Sequence, residues 1–256
     1  MGRGGRRKHR TAAARPNVKG ELMAQEQEKK VVPRVAVIMD WPYQNVPGIY
    51  MMSLLQAIHN EEEVFIVQSK GPHSDLCFNA SVKYALEQGA TEILSVSCDQ
   101  AVPLDILERS RAHGVDIVGA LYATRQPGHD WIIYQRSMDG EFVKDTPRKP
   151  LQRVAATGAG CFWARADVFR KIQPPWFWTE TDPTGCQVMV SNDFYFFHKC
   201  AAAGIQVHTD IGMVSGHQFE IELNAQSLQR SLPPRLEVTE IKKLRKERED
   251  GARMES

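Results

Sequence analysis

The chain of 256 residues is long enough for one sizeable domain or two small ones, and its 42% hydrophobic and 25% charged content is an ordinary soluble globular balance. A net charge of +1 excludes a global affinity for nucleic acid or acidic surfaces. No apolar run approaches the ~20 residues that span a bilayer. The five cysteines (Cys77, Cys98, Cys161, Cys186 and Cys200) form no CxxC pair, which excludes a zinc knuckle or a disulfide framework.

Residues 1–32 read as a basic and polar tail. MGRGGRRKHR packs cations among glycines, and AQEQEKK lacks an apolar stripe long enough to fold alone. Its plain reading is a solvated segment; the sharper one is an arm that touches nucleic acid or anionic lipid. No hydrophobic stretch follows the basic residues, so a secretory signal is not expected, and a reducing cytoplasm with free, mostly buried thiols is.

The folded part begins at Arg34 to Met39, a continuous apolar run of the kind found in strands covered on both faces. A helix is predicted near 49–59, where Met51, Leu54, Leu55 and Ile58 recur at helical spacing. Val64 to Val67 reads as a second buried strand. Phe78, Val82, Ala85 and Leu86 form the face of a second helix, closed by Gly89. ILSVSCDQAVP at 93–103 supplies a third strand, Ile93 to Ser97, with Pro103 in the first turn of a helix that Gly114 ends. Val115 to Ala120 is a fourth strand. Strands alternating with helices at this rhythm predict βα units and a largely parallel sheet.

After residue 121 the rhythm changes. Trp131 to Tyr134, Glu141 to Val143 and Leu151 to Ala155 are short strand-like pieces, followed by a strand over Ala159 to Ala164 and a helix over Ala166 to Ile172. A further helix is capped by Ser191, faced by Phe194, Phe197 and Ala201, and ended by Gly204. Ile205 to His208 closes the sheet and leads to Ser215-Gly216-His217. The expected class is α/β: a Rossmann-like, mostly parallel sheet with an appended mixed β region and flanking helices. One domain spans 33–225, and a charged tail spans 226–256.

Ligands of open parallel α/β sheets gather at the carboxyl ends of strands. Asp99 lies just past such an end, where a carboxylate can hold Mg2+ or Mn2+, hard ions that bridge to phosphates. Equally, Asp is a favoured N-cap, and Asp99 precedes a helix expected near Val102. Asp193, second in its helix, is open to two readings as well: an acid favoured by the helix dipole, or a general base facing a cleft. His217 is either a packed histidine or the imidazole that completes a Mn2+ site. His198 and His208 fall within elements and suggest no ligand role. Pro174-Pro175-Trp176-Phe177-Trp178 reads either as a sugar-stacking surface or as a loop covering the core. No GxGxxG follows the first strand and no Walker A sequence occurs, so dehydrogenase and P-loop kinase readings lose their support.

In their order along the chain these pieces resemble GT-A-type glycosyltransferases, in particular the small family-2-like enzymes of phages and microbial genomes. The carrying stretches are Val35 to Met39, EILSVSCDQAVPLDILERSRAHGVDIVGALY (92–122), ATGAGCFWARADVF (156–169) and SNDFYFFHKCAAAGIQVHTDIGMVSGH (191–217). The resemblance covers roughly 33–220.

It implies that Ser97-Cys98-Asp99 stands where the family has Asp-x-Asp, the motif holding metal and sugar nucleotide. Asn192-Asp193 stands where a Glu-Asp pair supplies the base from its Asp, and Gly216-His217 matches a late Gly-His whose imidazole binds metal. Gly158 and Gly160 match the small residues lining the donor-sugar pocket. Two acidic positions of the family are thus neutral here. The reaction implied is transfer of a sugar, with inversion, from a nucleoside-diphosphate donor to an acceptor hydroxyl on a glycan, lipid-linked sugar, protein or modified base. Asp193 is the expected catalytic residue; Ser97, Asp99, Gly158, Gly160 and Asn192 bind the donor; Asp99 and His217 bind Mn2+ or Mg2+. The competing readings are a catalytically impaired relative that binds a nucleotide sugar, glycan or partner, and a nucleic-acid-associated protein acting through its basic arm.

Overall fold

In a computed structural model the described residues are 32–40, 48–69, 71, 73–125 and 129–217. Both tails, and the boundary expected at 225, lie outside them.

The apolar runs of the first half become strands β1 (Arg34–Asp40), β2 (Glu63–Ser69), β3 (Glu92–Ser97) and β5 (Ile117–Leu121), with the dipeptide strand β4 (Gln100–Ala101) between the last two. Helices α1 (Gly48–Ile58), α2 (Ser74–Glu87) and α3 (Ile106–His113) connect them. The second half contributes β6 (Ile133–Arg136), β7 (Phe142–Lys144), β8 (Leu151–Val154), β9 (Ala156–Thr157) and β10 (Cys161–Arg165). Helix α4 (Ala166–Lys171) and the hairpin β11 (Glu180–Thr181) and β12 (Val188–Val190) follow. Helix α5 (Asn192–Ala202), β13 (Val207–Val214) and β14 (Gly216–His217) complete the order.

Seven strands form the central sheet in the order β2-β1-β3-β10-β5-β13-β8. β1, β2, β3, β5 and β13 share one direction, while β10 and β8 run against it. Residues alternate between two covered faces, as a strand period of two demands. Ala36 and Ile38 of β1 and Phe162 of β10 enter one core with α2, α4 and α5; Val35, Val37, Met39 and Trp163 enter the other with α1 and α3. Phe196 is the hub of the first core, 4.8 Å from Phe177, 5.2 Å from Phe169 and 5.7 Å from Phe162. Such ring pairs add about 0.5–1.5 kcal/mol each beyond burial.

Several local expectations need correction. β2 is an edge strand with Ile66 exposed, not a fully buried one, because among the described residues it pairs with β1 alone. Leu55 of α1 is exposed while Leu54 and Ala57 are buried; the helix docks through a face turned by one residue. The same turn occurs in α5, where Phe196, Phe197 and Cys200 are buried and Ala201 faces solvent. Trp176 and Phe177 of the aromatic loop are core residues, and of its three aromatic rings only that of Trp178 is exposed. The loop is pinned to α2 by Asn79, whose amide oxygen accepts from the Trp176 and Phe177 backbone nitrogens (2.7 and 3.1 Å).

β13 runs longer than its sequence pattern suggests and carries a bulge between Asp210 and Val214. Asp210, fully buried, holds that bulge: its carboxylate accepts from Gly212 N (2.8 Å), from the Arg109 guanidinium (2.7–3.0 Å) and from His113 Nε2 (2.8 Å). A Cβ at Gly212 would lie 2.7 Å from Arg109 Nη2, so a side chain there would push the guanidinium from its place on the acid. Beyond the bulge, Ser215 N donates to Leu121 O (2.9 Å) and its hydroxyl bridges Gln100 Oε1 and the Ala101 carbonyl (2.5 and 2.9 Å). These contacts deliver β14 antiparallel to β4. Among the described residues no helix is long and apolar enough to cross a membrane.

Candidate functional site

The strand order reverses around β1, which has β2 on one side and β3 on the other, so the carboxyl ends of β1 and β3 open a crevice. There Asp40 and Ser97 are register partners. The chain leaves β3 through a turn at Cys98-Asp99 before β4, and the helix that follows starts at Ile106 with Asp105 at its N-cap. Asp99 is therefore not a helix cap. It faces a cleft of about 390 Å³ whose walls include Ser97, Asp99, Gly158, Gly160, Asn192, Asp193 and His217. All seven residues singled out from the sequence meet in this one space. His198 packs against Phe142 and Arg136, away from the cleft.

Three elements bring Asp99 its neighbours. The β4–β14 ribbon sets His217 opposite Gln100, with Nε2 3.5 Å from Asp99 Oδ2. The segment after β5 brings Arg125, whose Nη2 forms an ion pair with the same oxygen. Tyr50 of α1 approaches closely enough that Asp99 adds to the burial that raises its phenol pKa. Burial alone would raise the Asp99 carboxyl pKa. The His217 hydrogen bond and the Arg125 charge overcome that and hold it below the ordinary value, so Asp99 is an anion across the neutral range.

His217 Nδ1 lies 2.7 Å from the Ala123 carbonyl, which can only accept, so Nδ1 carries a proton. The other ring nitrogen, Nε2, faces the Asp99 carboxylate at 3.5 Å, a placement in which the imidazole could share a divalent ion with the acid. The donor set fits a divalent ion in this limited sense: one carboxylate and one oriented imidazole. Among the described residues no cluster of three or more His, Cys, Asp or Glu side chains could hold a metal ion, so Asp99 and His217 would be a partial ligand set, open to completion by a bound molecule or water.

Asp193 sits across the cleft in the first turn of α5. Its Oδ1 accepts from the Ser191 hydroxyl and from Phe194 N (2.9 Å). Ser191 thus spends its side chain on Asp193 and not on a backbone cap. Burial raises the Asp193 pKa above the ordinary carboxylate value, against the lowering effect of these hydrogen bonds. A raised pKa makes the carboxylate a stronger base. Its neighbour Asn192 donates from Nδ2 to Ser74 Oγ (2.7 Å), tying the start of α5 to the start of α2.

Gly158 and Gly160 form the floor, and Tyr122 explains them. A Cβ at Gly158 would fall 1.9 Å from Tyr122 Oη, and one at Gly160 2.9 Å from it. The buried phenol oxygen also accepts from Gly160 N (2.9 Å), while the Gly160 carbonyl accepts from Ser97 N (2.7 Å). Burial, reinforced by the Asp193 charge, raises the Tyr122 pKa well above the ordinary value, so the group stays a neutral phenol.

Sequence reasoning missed Arg125, Tyr122, Gln100 and Ser74, all of which line the cleft. The strand-end rule that exposed Asp99 applies equally after β5, where Tyr122 and Arg125 follow immediately. Ser74 and Gln100 offered no such signal, because only the tertiary fold brings them in.

No protein-family model matches the chain and no curated protein matches it. Among solved structures it is similar to A197 from STIV at a TM-score of 0.52 and 15% identity, over 73% of this chain and 86% of that one. Fainter likenesses, both at 11% identity, are to GalNAc-T7 solved with UDP, GalNAc and Mn2+ and to a Drosophila β1,4-galactosyltransferase 7 mutant solved with manganese, UDP-Gal and xylobiose. The first has a TM-score of 0.46 over 81% of this chain and 46% of that one; the second has 0.43 over 80% and 82%. The fold is GT-A-like α/β.

Proposed function

We propose that the protein is a glycosyltransferase that moves a sugar from a nucleoside-diphosphate donor to an acceptor hydroxyl, with inversion. The observation that carries this reading is the meeting of Asp99, His217, Gly158, Gly160 and Asp193 in one cleft at the switch point of the sheet.

Asp99 and His217 would hold Mn2+ or Mg2+ together with the donor diphosphate; a divalent ion bound there supplies positive charge to the leaving group. Ser97 carries no charge and offers a hydroxyl to the donor or to a water. The glycine floor, kept flat by Tyr122, leaves room for the sugar ring beside the diphosphate. Asp193, on the opposite wall, takes the proton from the acceptor hydroxyl as it attacks. Its raised pKa suits that task, since the carboxylate is more basic than an exposed aspartate.

The test is transfer, or donor hydrolysis, across a panel of UDP-, GDP- and TDP-sugars with and without Mn2+. Asp193→Asn should leave donor binding intact and lower the rate by about 10²–10⁴. If no sugar nucleotide is turned over and nucleotide binding ignores Mn2+, the enzyme reading fails. A catalytically impaired binding protein then remains, a reading favoured by the neutral Ser97 and by the scarcity of metal-ligand clusters among the described residues.

A further inference from the structure

The cleft has a charge problem. Among its described lining residues, Asp99 and Asp193 are acids and Arg125 is the one guanidinium or ammonium. Two carboxylates against one guanidinium leave a net negative wall, yet the proposed donor brings a polyanionic diphosphate. Arg125 is already committed, because its guanidinium grips the same Asp99 oxygen that faces His217. The carboxylate that should ligate a cation is thus capped by one.

We propose that Arg125 is an exchangeable placeholder cation: it holds Asp99 until a divalent ion is taken up, then gives the carboxylate up and turns its guanidinium to the donor diphosphate. The inference rests on the sugar-nucleotide reading of the site and deepens it. Three observations support it. Asp99 Oδ2 cannot offer its full charge to a divalent ion while the guanidinium holds it. Arg125 is half exposed, at 50%, so its head can swing without disturbing the core, whereas Asp99 at 17% and His217 at 14% are fixed. A guanidinium presents paired N–H donors that fit phosphate oxygens as well as they fit a carboxylate. The exchange also gives a one-carboxylate site a second positive centre for the diphosphate, where Ser97 has removed an acid that would otherwise strengthen metal binding.

The prediction is a pair of opposite signs. With Mn2+ alone, followed by electron paramagnetic resonance of the free ion, Arg125→Ala should bind the metal about three- to tenfold more tightly, because an internal competitor worth a partly exposed ion pair is gone. With Mn2+ saturating, the same variant should bind UDP or GDP at least about tenfold more weakly in calorimetry, having lost a charge-assisted phosphate contact. Arg125→Lys should fall between on both. Arg125→Gln, which keeps the side chain's length and polarity, should repeat the alanine result, and the melting temperature of each variant checks that the fold persists.

Unchanged or weakened Mn2+ binding in Arg125→Ala overturns the proposal, as does loss of both ligands together, which marks Arg125 as merely structural. The metal arm needs no donor. Failure of the sugar-nucleotide reading has a different signature: wild-type protein that takes up Mn2+ but no nucleoside diphosphate.

Discussion

Two aspartates in this protein each have an arginine and a histidine for partners, and they differ in everything else. Asp210 lies within β13, fully buried, with the Arg109 guanidinium and His113 Nε2 all within 3.0 Å and a backbone N–H at 2.8 Å. Its acceptor capacity is spent. Asp99 lies on a turn past the end of β3, partly open to a cleft, with one arginine that is half solvent-exposed and one histidine at 3.5 Å. Its coordination is incomplete. The same three side-chain types thus make a structural rivet in one place and a candidate ligand site in the other. What separates them is saturation and access.

Exchange of each acid for its neutral amide should pull the two roles apart. Asp99→Asn should lower metal-dependent binding of a nucleoside diphosphate by at least about 100-fold, since it removes the one carboxylate of the proposed metal pair. Its effect on stability should stay below about 1 kcal/mol, because its arginine partner is half in water. Calorimetric titration beside a thermal melt reads both numbers. A large drop in stability with intact binding would make Asp99 a second rivet.

Asp210→Asn should do the reverse. Loss of the buried charge leaves Arg109 and His113 without their anion and loosens the bulge, costing on the order of 3 kcal/mol in urea unfolding. The native pairings hold the Asp210 pKa below its ordinary value despite burial. Wild-type stability from this group is therefore present at neutral pH and lost as pH falls from the ordinary carboxylate range through the depressed pKa. The variant should lose that acid limb. Because the bulge delivers Ser215 and His217 to the site, the folded variant should also bind Mn2+ less well, by a smaller factor than Asp99→Asn.

Gly158→Ala probes the cleft floor. A methyl 1.9 Å from Tyr122 Oη cannot fit without displacing the ring, so the cost should be about 1–3 kcal/mol in unfolding, with donor binding weakened. Tyr122→Phe in the same chain removes the oxygen and should recover part of it.

Much of this comparison could be read in the sequence, and the exceptions have physical reasons. The continuous apolar run of β1 and the phenylalanines of α5 announced buried elements, but not their rotation. Leu55 and Leu54 are equally apolar, and only the neighbouring strands decide which one is covered. Asp99, Asp193 and His217 were visible because strand ends and helix starts have sequence signatures. Arg125 follows a strand end as well, but a lone arginine in a turn becomes meaningful only when the earlier carboxylate of Asp99 is folded beside it. The Asp210 rivet was likewise hidden, since Arg109 and His113 looked like the solvated face of α3 and the bulge left no mark in a pattern of alternation. The β11–β12 hairpin leaves no mark in the sequence, because its strands are two and three residues long.

The smallest expected effect concerns Asp193, which belongs to neither class. It is partly buried where Asp210 is fully so, and its hydrogen-bond partners are a hydroxyl and a single backbone N–H, with no cation among the described residues. Burial therefore wins and raises its pKa. The sign is opposite to that of Asp210: the fold favours the protonated carboxyl, so this group's contribution to stability is full below the ordinary carboxylate range and is lost as pH rises through the raised value. Above that raised value the ionised side chain is a liability to the fold. Asp193→Asn keeps an oxygen that can accept from Ser191 and Phe194 and removes the buried charge. It should raise the melting temperature slightly at a pH above the raised value, leave it unchanged near pH 3, and slow transfer by the same factor of about 10²–10⁴ where the wild-type base is ionised. A lower melting temperature above the raised value would mean that the charge is held for the fold and not for a reaction.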